Sequence, residues 1–322
     1  MKRIALISLL SLALIQVSVA QEVSFVINDG LGNDRLKQQI EGNLSHFLTS
    51  LNQAYEAKNT PVLSIVDISR DAASSFLMLW KNMDFHCTEP EVVERILTTY
   101  SGWQVRNIPL ETRQGGYQEL VIDIDGSGSI TRVNLAIQNH LYRKIMSNAQ
   151  EVTDLRHRQM ILDYVEQFRT AYNRKDIGFL EEVFSEDALI ITGKVVHRKK
   201  GDRVAILKNS PDIVYTTDSK REYITRLKTR VFPSNSYIRV NFSDITVSKH
   251  PTLEGYYGVM LKQGYESSIY SDEGYLFMIW DFRDESRPQI HVRTWQPYWL
   301  DDSRTMHLDE SKVFNINNFT LE

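Results

Sequence analysis

The stretch MILDYVEQFRTAYNRKDIGFLEEVFSEDALIITG, residues 160–193, decides the fold class of this chain. Its first part repeats apolar residues at helical spacing over residues 160–172, and the polar Asn-Arg-Lys-Asp corner at residues 173–176 then stops the helix. A short second helix and an apolar strand follow. We interpret this order as the opening of a cone-shaped α+β domain, in which a bent sheet wraps around helices and encloses a pocket.

The first twenty residues have the composition of a secretory signal peptide. Lys2 and Arg3 precede an apolar run, residues 4–14, that is too short for a permanent membrane span. The small residues in Ser18-Val19-Ala20 predict cleavage near Ala20. The mature protein is therefore expected to be exported, either to the periplasm or out of the cell. No later stretch reads as an integral membrane span.

The composition argues against some classes of protein. The formal net charge is −4, and it becomes −6 when Lys2 and Arg3 are removed. This mild acidity argues against a nucleic-acid-binding protein, which would present a basic face. The single cysteine, Cys87, has no partner for an internal disulfide, so the hydrophobic core must supply the stability. The length is sufficient for one large domain or two ordinary ones.

A weak repeat divides the chain into two halves. LNQAYEAKNTPVL at residues 51–63 and FRTAYNRKDIGFL at residues 168–180 share an Ala-Tyr pair, a lysine and a leucine. Each of these segments ends a long stripe of apolar residues at helical spacing. We therefore predict two tandem α+β units, residues 21–150 and 151–322, of which the first is shorter or degenerate.

Capping and strand patterns predict further helices and strands in the two units. Thr88-Glu89-Pro90-Glu91 has the form of a capping box and predicts a helix over residues 92–97. Ser219-Lys220-Arg221-Glu222 predicts another helix, which Pro233 ends. A hairpin pattern closes each unit, and four strand-like runs predict an antiparallel meander in the second. The class is therefore α+β, with helices packed on a strongly bent antiparallel sheet. The hairpins are residues 119–137 and 274–296, and the four runs are residues 237–248, 256–265, 275–282 and 289–295.

Residues 157–299 resemble the nuclear transport factor 2-like superfamily, which includes ketosteroid isomerases and polyketide cyclases. The resemblance rests on the helix-corner-helix-strand stretch from His157 onward, on the capped helix that follows, and on the closing strands up to IHVRTWQP. It implies an exported member with a bent sheet around the helices and a cavity between them. This fold hosts many functions. The acid and base residues of the isomerases do not align with this chain, so no catalytic residue is assigned.

The best polar cluster lies on the last predicted strand. Strict alternation places His291, Arg293 and Trp295 on one face, where they would hold an anionic or carbonyl group beside an apolar wall. The competing interpretation is a sheet face whose polar residues pair with neighbouring acids. The turn between the last two strands can be formed in two ways that differ by one residue in register, and Asp281 shares this face in only one of them. Tyr265 is a weaker candidate for ligand binding. The histidines lack metal-ligand spacing, so neither a metal nor a cofactor is predicted.

Three functions remain open at this point. The first is an exported, non-catalytic binding or interaction protein, whose cone-shaped domain takes a small molecule or a cell-envelope protein. The second is a lyase or isomerase that uses His291 with Arg293 or Asp281. The third is a scaffold that forms a homodimer through its sheet, for which exposed aromatic residues on the convex face would be the sign.

Overall fold

Two six-stranded sheets, each packed against helices, make up the protein. The structure is a computed structural model that describes residues 22–113, 115–147, 152, 154–196 and 212–321. The predicted signal peptide, residues 1–20, lies outside the described residues. The α+β class expected from the sequence is confirmed. None of the helices in the described part of the chain is long and apolar enough to cross a membrane.

The first sheet has the strand order β1-β3-β4-β5-β6, and β2 pairs with β4. Its strands are β1 (Ser24–Asp29), β2 (Phe85–Cys87), β3 (Glu91–Thr99), β4 (Gly102–Thr112), β5 (Tyr117–Ile124) and β6 (Ile130–Leu135). The helices of this part of the chain are α1 (Asp34–Ala57), α2 (Arg70–Met83) and α3 (Asn139–Ser147). Helices α1 and α2 share an apolar core with the first sheet, whereas Leu141 and Ile145 of α3 pack into the second core.

The second sheet has the strand order β8-β7-β12-β11-β10-β9. Its strands are β7 (Phe184–Val196), β8 (Asp212–Asp218), β9 (Ile238–Lys249), β10 (Tyr256–Ser267), β11 (Ser271–Asp281) and β12 (Gln289–Pro297). Its helices are α4 (Leu155–Arg174), α5 (Ile177–Val183), α6 (Lys220–Arg226) and α7 (Phe232–Ser234), with a π-helical turn, Leu227–Val231, between the last two. Two short 3-10 turns, Glu310–Lys312 and Ile316–Asn318, follow the sheet.

Both sheets are mixed, which corrects the expectation of purely antiparallel pairing. The predicted meander of the second sheet is antiparallel from β9 to β12, but β12 then pairs with β7 in parallel. In the first sheet, β1 pairs with β3 in parallel. The connections between the strands of these pairs are long, as parallel pairing requires, and both contain helices.

The predicted helix over residues 92–97 is wrong, because these residues belong to strand β3. Val92 pairs with Phe25 of β1, and Ile96 pairs with Val105 of β4. Both Val92 and Ile96 are buried in the first core. The segment is rich in β-branched residues, which fit a pleated surface. Its pairing with β1 up to Arg95 and with β4 from Ile96 onward outweighs the local capping pattern.

The internal repeat ends in the same backbone geometry in both units. Lys58 follows α1 with a φ of 53°, and Lys175 follows α4 with a φ of 57°. In both places the lysine N–H donates to the carbonyls of the shared alanine and tyrosine, and the next N–H donates to the same alanine. The units diverge directly afterwards, since Asp176 caps α5 whereas residues 58–69 form no helix.

Replacing Lys58 by glycine should raise the free energy of unfolding by about 0.5–1 kcal/mol, because glycine adopts a left-handed conformation without the steric cost of a Cβ. Lys175→Gly should gain less, since the Lys175 ammonium donates to the carbonyls of Asn235 at 2.5 Å and Ser236 at 3.2 Å. Urea unfolding of the two variants measures this difference. Equal gains at both positions would contradict the role of those two hydrogen bonds.

Helix α4 lies between the two units and is buried along almost its whole length. One side of it is apolar and packs into the second core through Ile161, Val165, Phe168 and Tyr172. The other side is polar and contacts the first unit through Asp163, Glu166, Arg169 and Thr170. A stripe with the composition of a solvent-facing surface is therefore covered by another part of the chain.

A buried network joins α4 to the first sheet. Arg106 donates to both carboxylate oxygens of Glu166, and each side chain is at most 4% exposed. Glu166 also accepts from the backbone N–H of Ile137 at 2.7 Å. Gln104 donates to Asp123 at 2.8 Å and to Asp163 at 3.1 Å. The lone pairs of the buried carboxylates are thus largely occupied, which is the condition under which buried charge is tolerated.

Burial, followed by repulsion from Asp123, raises the pKa of Asp163 to about 7. An unfolded aspartate titrates near pH 4, so between about pH 4 and pH 7 the folded protein binds a proton that the unfolded chain has released. The contribution of Asp163 to the free energy of unfolding is therefore largest at low pH and falls as the pH rises towards 7. The groups that act on it are Tyr100, Gln104, Asp123, Arg132 and Glu166.

Between pH 5 and pH 7, the free energy of unfolding of the wild-type protein should fall as Asp163 releases its proton. Asp163→Asn should not show this fall, because asparagine has no proton to release. The difference in slope should be at most about 1.4 kcal/mol per pH unit. Urea unfolding at several pH values measures it. Asp29→Asn is the control, since the Asp29 side chain is 74% exposed. The assignment fails if the stabilities of both variants follow the wild-type pH profile.

Candidate functional site

A β-bulge decides where the predicted site residues point. Ile279 pairs with Val292, but the next residue of β11, Trp280, pairs with Ile290. His291 is therefore an extra residue in β12, and the alternation of side chains changes there. The prediction that His291, Arg293 and Trp295 share one face is wrong for His291. Arg293 and Trp295 point towards the helices and line a cavity, as Tyr265 does.

His291 and Asp281 lie together on the opposite, outer face of the sheet. The His291 ring is 3.4 Å from the Asp281 carboxylate and 3.6 Å from that of Asp187. Burial alone would raise the pKa of Asp281, but hydrogen bonds from Arg283 outweigh it and hold the pKa below its usual value. This cluster fits the competing interpretation made from the sequence, in which the polar residues of the strand pair with neighbouring acids.

The C-terminal segment covers the apolar part of this outer face. Phe277, Ile279 and Val292 form a buried cluster with Ile316, and Phe319 stacks on Phe277 with ring centres 5.9 Å apart. Gln296 fixes the segment, because its amide donates to the Lys312 carbonyl at 3.1 Å and accepts from the Phe314 N–H at 2.7 Å. These outer-face aromatic residues are therefore covered by the chain itself.

The cavity on the inner side of the second sheet has a volume of about 650 Å³, within the usual range of ligand sites. Strands β7, β10, β11 and β12 form one wall, and the segment from α6 to α7 forms the other. Much of its lining is aromatic or aliphatic: Tyr172, Tyr223, Tyr265, Tyr270, Trp295, Leu227, Val231 and Ile269. The charged lining residues are Lys194, Arg226, Arg230, Asp272 and Arg293.

Arg293 is an unusual cation, because it is only 7% exposed and forms no ion pair within the described residues. Its Nη1 lies 3.5 Å from the Thr192 hydroxyl, and its guanidinium carbon lies 5.3 Å from the centre of the Tyr223 ring. Its Nε is buried and has no hydrogen-bond partner. A guanidinium has five N–H donors, so most of the hydrogen-bonding capacity of Arg293 is left for a bound molecule or water.

Two features shape the wall opposite the sheet. The Tyr172 and Tyr223 hydroxyls are hydrogen-bonded to each other, and burial raises the pKa of Tyr172 well above its usual value, so the hydroxyl stays neutral. In the π-helical turn, the Phe232 N–H donates to the Leu227 carbonyl, five residues back. Pro233 follows and cannot donate a backbone hydrogen bond. Such turns are frequent at functional sites, and Leu227 from this turn lines the cavity.

The position of Trp295 depends on Gly274 of the neighbouring strand, β11. A Cβ on Gly274 would lie 2.7 Å from the indole ring of Trp295 and 2.3 Å from the carbonyl oxygen of Gln296. Only glycine permits this close approach of β11 to β12. The indole therefore lies over the backbone of β11 at the edge of the cavity.

Sequence reasoning missed Tyr172, Tyr223 and the π-helical turn. Tyr172 appears in the sequence as one more apolar residue of a helical stripe, and Tyr223 as one residue of a capped helix. The one local signal is Pro233, which predicts the end of a helix; in the structure it lies within α7, and the helical segment ends one residue later, at Ser234. Within the described residues, no group of three or more His, Cys, Asp or Glu side chains is arranged to hold a metal ion.

Replacing Gly274 by alanine should move Trp295 and lower the free energy of unfolding by about 1–3 kcal/mol, because the added methyl overlaps the indole and the facing backbone. Gly264 provides a matched control, since a Cβ there has nothing within 4 Å and this residue pairs with Glu273, next to Gly274. Urea unfolding and tryptophan emission of both variants measure the effect. Similar losses in the two variants would contradict this account.

No family model matches the sequence, and no curated protein matches it. Solved structures are similar to about half of the chain. They include Bd1075 from Bdellovibrio bacteriovorus (17% identity, 53% of this chain and 47% of that one, TM-score 0.33) and naphthalene 1,2-dioxygenase with indole bound in its active site (9% identity, 51% and 90%, TM-score 0.37). A third is an NTF2-like protein from Cytophaga hutchinsonii (14% identity, 44% and 97%, TM-score 0.28).

This chain thus spans about half the length of Bd1075. NTF2-like proteins are among the structural neighbours, as the resemblance of residues 157–299 led us to expect. At these identities and TM-scores the likeness concerns the general fold, and nothing about binding or catalysis follows from it.

Proposed function

We propose that the protein is an exported, non-catalytic binding protein, and that the cavity of its second unit holds a small molecule. The observation that carries this proposal is an open, largely apolar cavity with a buried arginine, Arg293, that has no acidic partner among the described residues. Ligand sites combine apolar walls with a few polar groups that fix orientation, and this cavity has that composition.

A binding role is favoured over the lyase or isomerase alternative by the location of the acids and bases. His291 and Asp281 were the general acid–base candidates, and neither lines the cavity that contains Arg293. A general base has to lie within hydrogen-bonding reach of the bound substrate. The phenol pair of Tyr172 and Tyr223 lines the cavity, but burial keeps Tyr172 neutral.

A binding role is also favoured over the scaffold alternative. A homodimer formed through the outer face of the second sheet would first have to displace Ile316 and Phe319 from the apolar cluster that they cover. The cavity, by contrast, is open without any rearrangement. Export remains part of the proposal and rests on the signal-peptide pattern of residues 1–20.

Thr192→Tyr should abolish binding of a neutral apolar dye to the cavity, because Thr192 lines it and a tyrosine ring there would fill the space. The probe is N-phenyl-1-naphthylamine, whose fluorescence rises in an apolar site, and the wild-type protein should show saturable binding. Thr217→Tyr is the matched control, since Thr217 is exposed on the neighbouring strand and does not line the cavity. Thermal unfolding of both variants checks that they are folded.

The proposal fails if the wild-type protein does not bind the dye. It also fails if Thr192→Tyr binds the dye as well as Thr217→Tyr does, because binding would then occur elsewhere on the molecule.

A further inference from the structure

We propose that the ligand of this cavity is a monocarboxylate with an elongated apolar body, and that its carboxylate binds Arg293. This inference rests on the proposed function and names the chemical class of the ligand. It follows from three observations: the hydrogen-bonding state of Arg293, the charge of the other lining residues, and the distribution of apolar side chains along the cavity.

Arg293 lacks the acceptors that a buried guanidinium needs. Its Nε has no partner, and its one hydrogen bond within the described residues, to Thr192, is 3.5 Å long. The ring of Tyr223 lies 5.3 Å away and offers only its π-face. An unpaired buried cation is costly. A carboxylate satisfies it best, because its two oxygens match the planar fork of the guanidinium.

The remaining charges of the cavity favour a single negative charge on the ligand. Arg226 is already neutralised, since it donates to both oxygens of Asp218 at 2.8 and 2.7 Å. Lys194 and Arg230 are exposed, so water and salt screen their charges. Arg293 is therefore the one lining cation in the described residues that is both buried and unpaired. A phosphate or a dicarboxylate would bring more charge than this one buried cation neutralises.

The acid that lines the cavity lies away from Arg293. Arg293 pairs with Met278 of β11, whereas Asp272 pairs with Tyr265, six residues further along that strand. Six residues of strand correspond to roughly 20 Å. The Asp272 carboxylate accepts hydrogen bonds from the Tyr270 hydroxyl and from the backbone N–H of Glu273. Asp272 thus does not serve as the counter-ion of Arg293.

Apolar side chains occupy the space between these two ends. Trp295 lies next to Arg293, and Tyr265 and Ile269 lie towards the end marked by Asp272. Ile269 is 69% exposed, so the apolar surface continues to the rim of the cavity. A carboxylate at Arg293 would therefore direct an apolar body along the aromatic wall towards the solvent. Both an aromatic acid and a medium-chain fatty acid have this shape and charge.

The test compares a carboxylate with its neutral amide. Isothermal titration calorimetry at pH 7 measures the affinity of the full mature protein for 2-naphthoate and 2-naphthamide, which have the same apolar body. We expect 2-naphthoate to bind about 10-fold or more tightly, the range for one charge-assisted interaction. Decanoate and decanamide form a second pair, and the pair that shows the larger preference distinguishes an aromatic from a lipid-derived ligand.

Two variants test whether Arg293 causes the preference for the carboxylate over the amide. Arg293→Met should bind acid and amide with equal affinity, because methionine keeps an unbranched stem like the aliphatic part of arginine and removes the guanidinium charge. Arg221→Met is the matched control, since Arg221 is exposed on α6 and does not line the cavity. It should keep the wild-type preference.

Three outcomes would be decisive against the proposal. If acids and amides bind the wild-type protein equally well, the inference about the ligand is wrong while the binding function stands. If the preference persists in Arg293→Met, the carboxylate binds elsewhere and the inference is again wrong. If neither pair of compounds nor N-phenyl-1-naphthylamine binds, the proposed function itself fails.

Discussion

The ion pair between Arg106 and Glu166 is the interaction on which the arrangement of the two units depends. It joins the central strand β4 of the first sheet to the long helix α4 of the second unit, and both side chains are almost fully buried. Leaving one member of such a pair without the other typically costs about 3–5 kcal/mol. The two units are therefore not independent, since each one supplies the counter-charge that the other needs.

The contacts on the two sides of α4 also determine where the cavity of the second unit lies. The apolar side of α4 carries Phe168 and Tyr172 into the second core, and the Tyr172 hydroxyl bonds to Tyr223 in the wall of the cavity. On the other side, Thr170 accepts from the backbone N–H of Leu135 at 2.9 Å, which fixes the helix along the first sheet. The position of the cavity wall thus depends on contacts made on the far side of the same helix.

The sequence predicted those elements whose signals are local. The stripe and polar corner of residues 160–176 correctly gave α4 and its end, and both hairpins were found where alternation and turn residues coincide. The sequence did not predict those features that depend on contacts with residues far away along the chain. Residues 92–97 form a strand because the first part of the segment pairs with β1 and the last part with β4. The polar stripe of α4 looks like a solvent-facing surface in the sequence, because Gln104 and Arg106, which it meets, lie about sixty residues away.

The sequence predicts which strand carries the candidate site, but it does not predict on which face of the sheet each side chain lies. Arg293, Trp295 and Tyr265 line the cavity, whereas His291 and Asp281 lie on the other side of the sheet. Alternation does not reveal a bulge, because one additional residue leaves the composition of a strand unchanged. The buried, unpaired state of Arg293 is a property of the folded protein and has no signature in the sequence.

The bulge at His291 has a consequence for how this hairpin tolerates changes in length. It separates β12 into a short part that is aligned with the turn and a longer part that is aligned with the cavity. Loss of the single extra residue would restore regular pairing without rotating Arg293 and Trp295 away from the cavity. A deletion of one residue between the turn and the bulge can therefore be absorbed at this point, and Arg293 and Trp295 would still face the cavity.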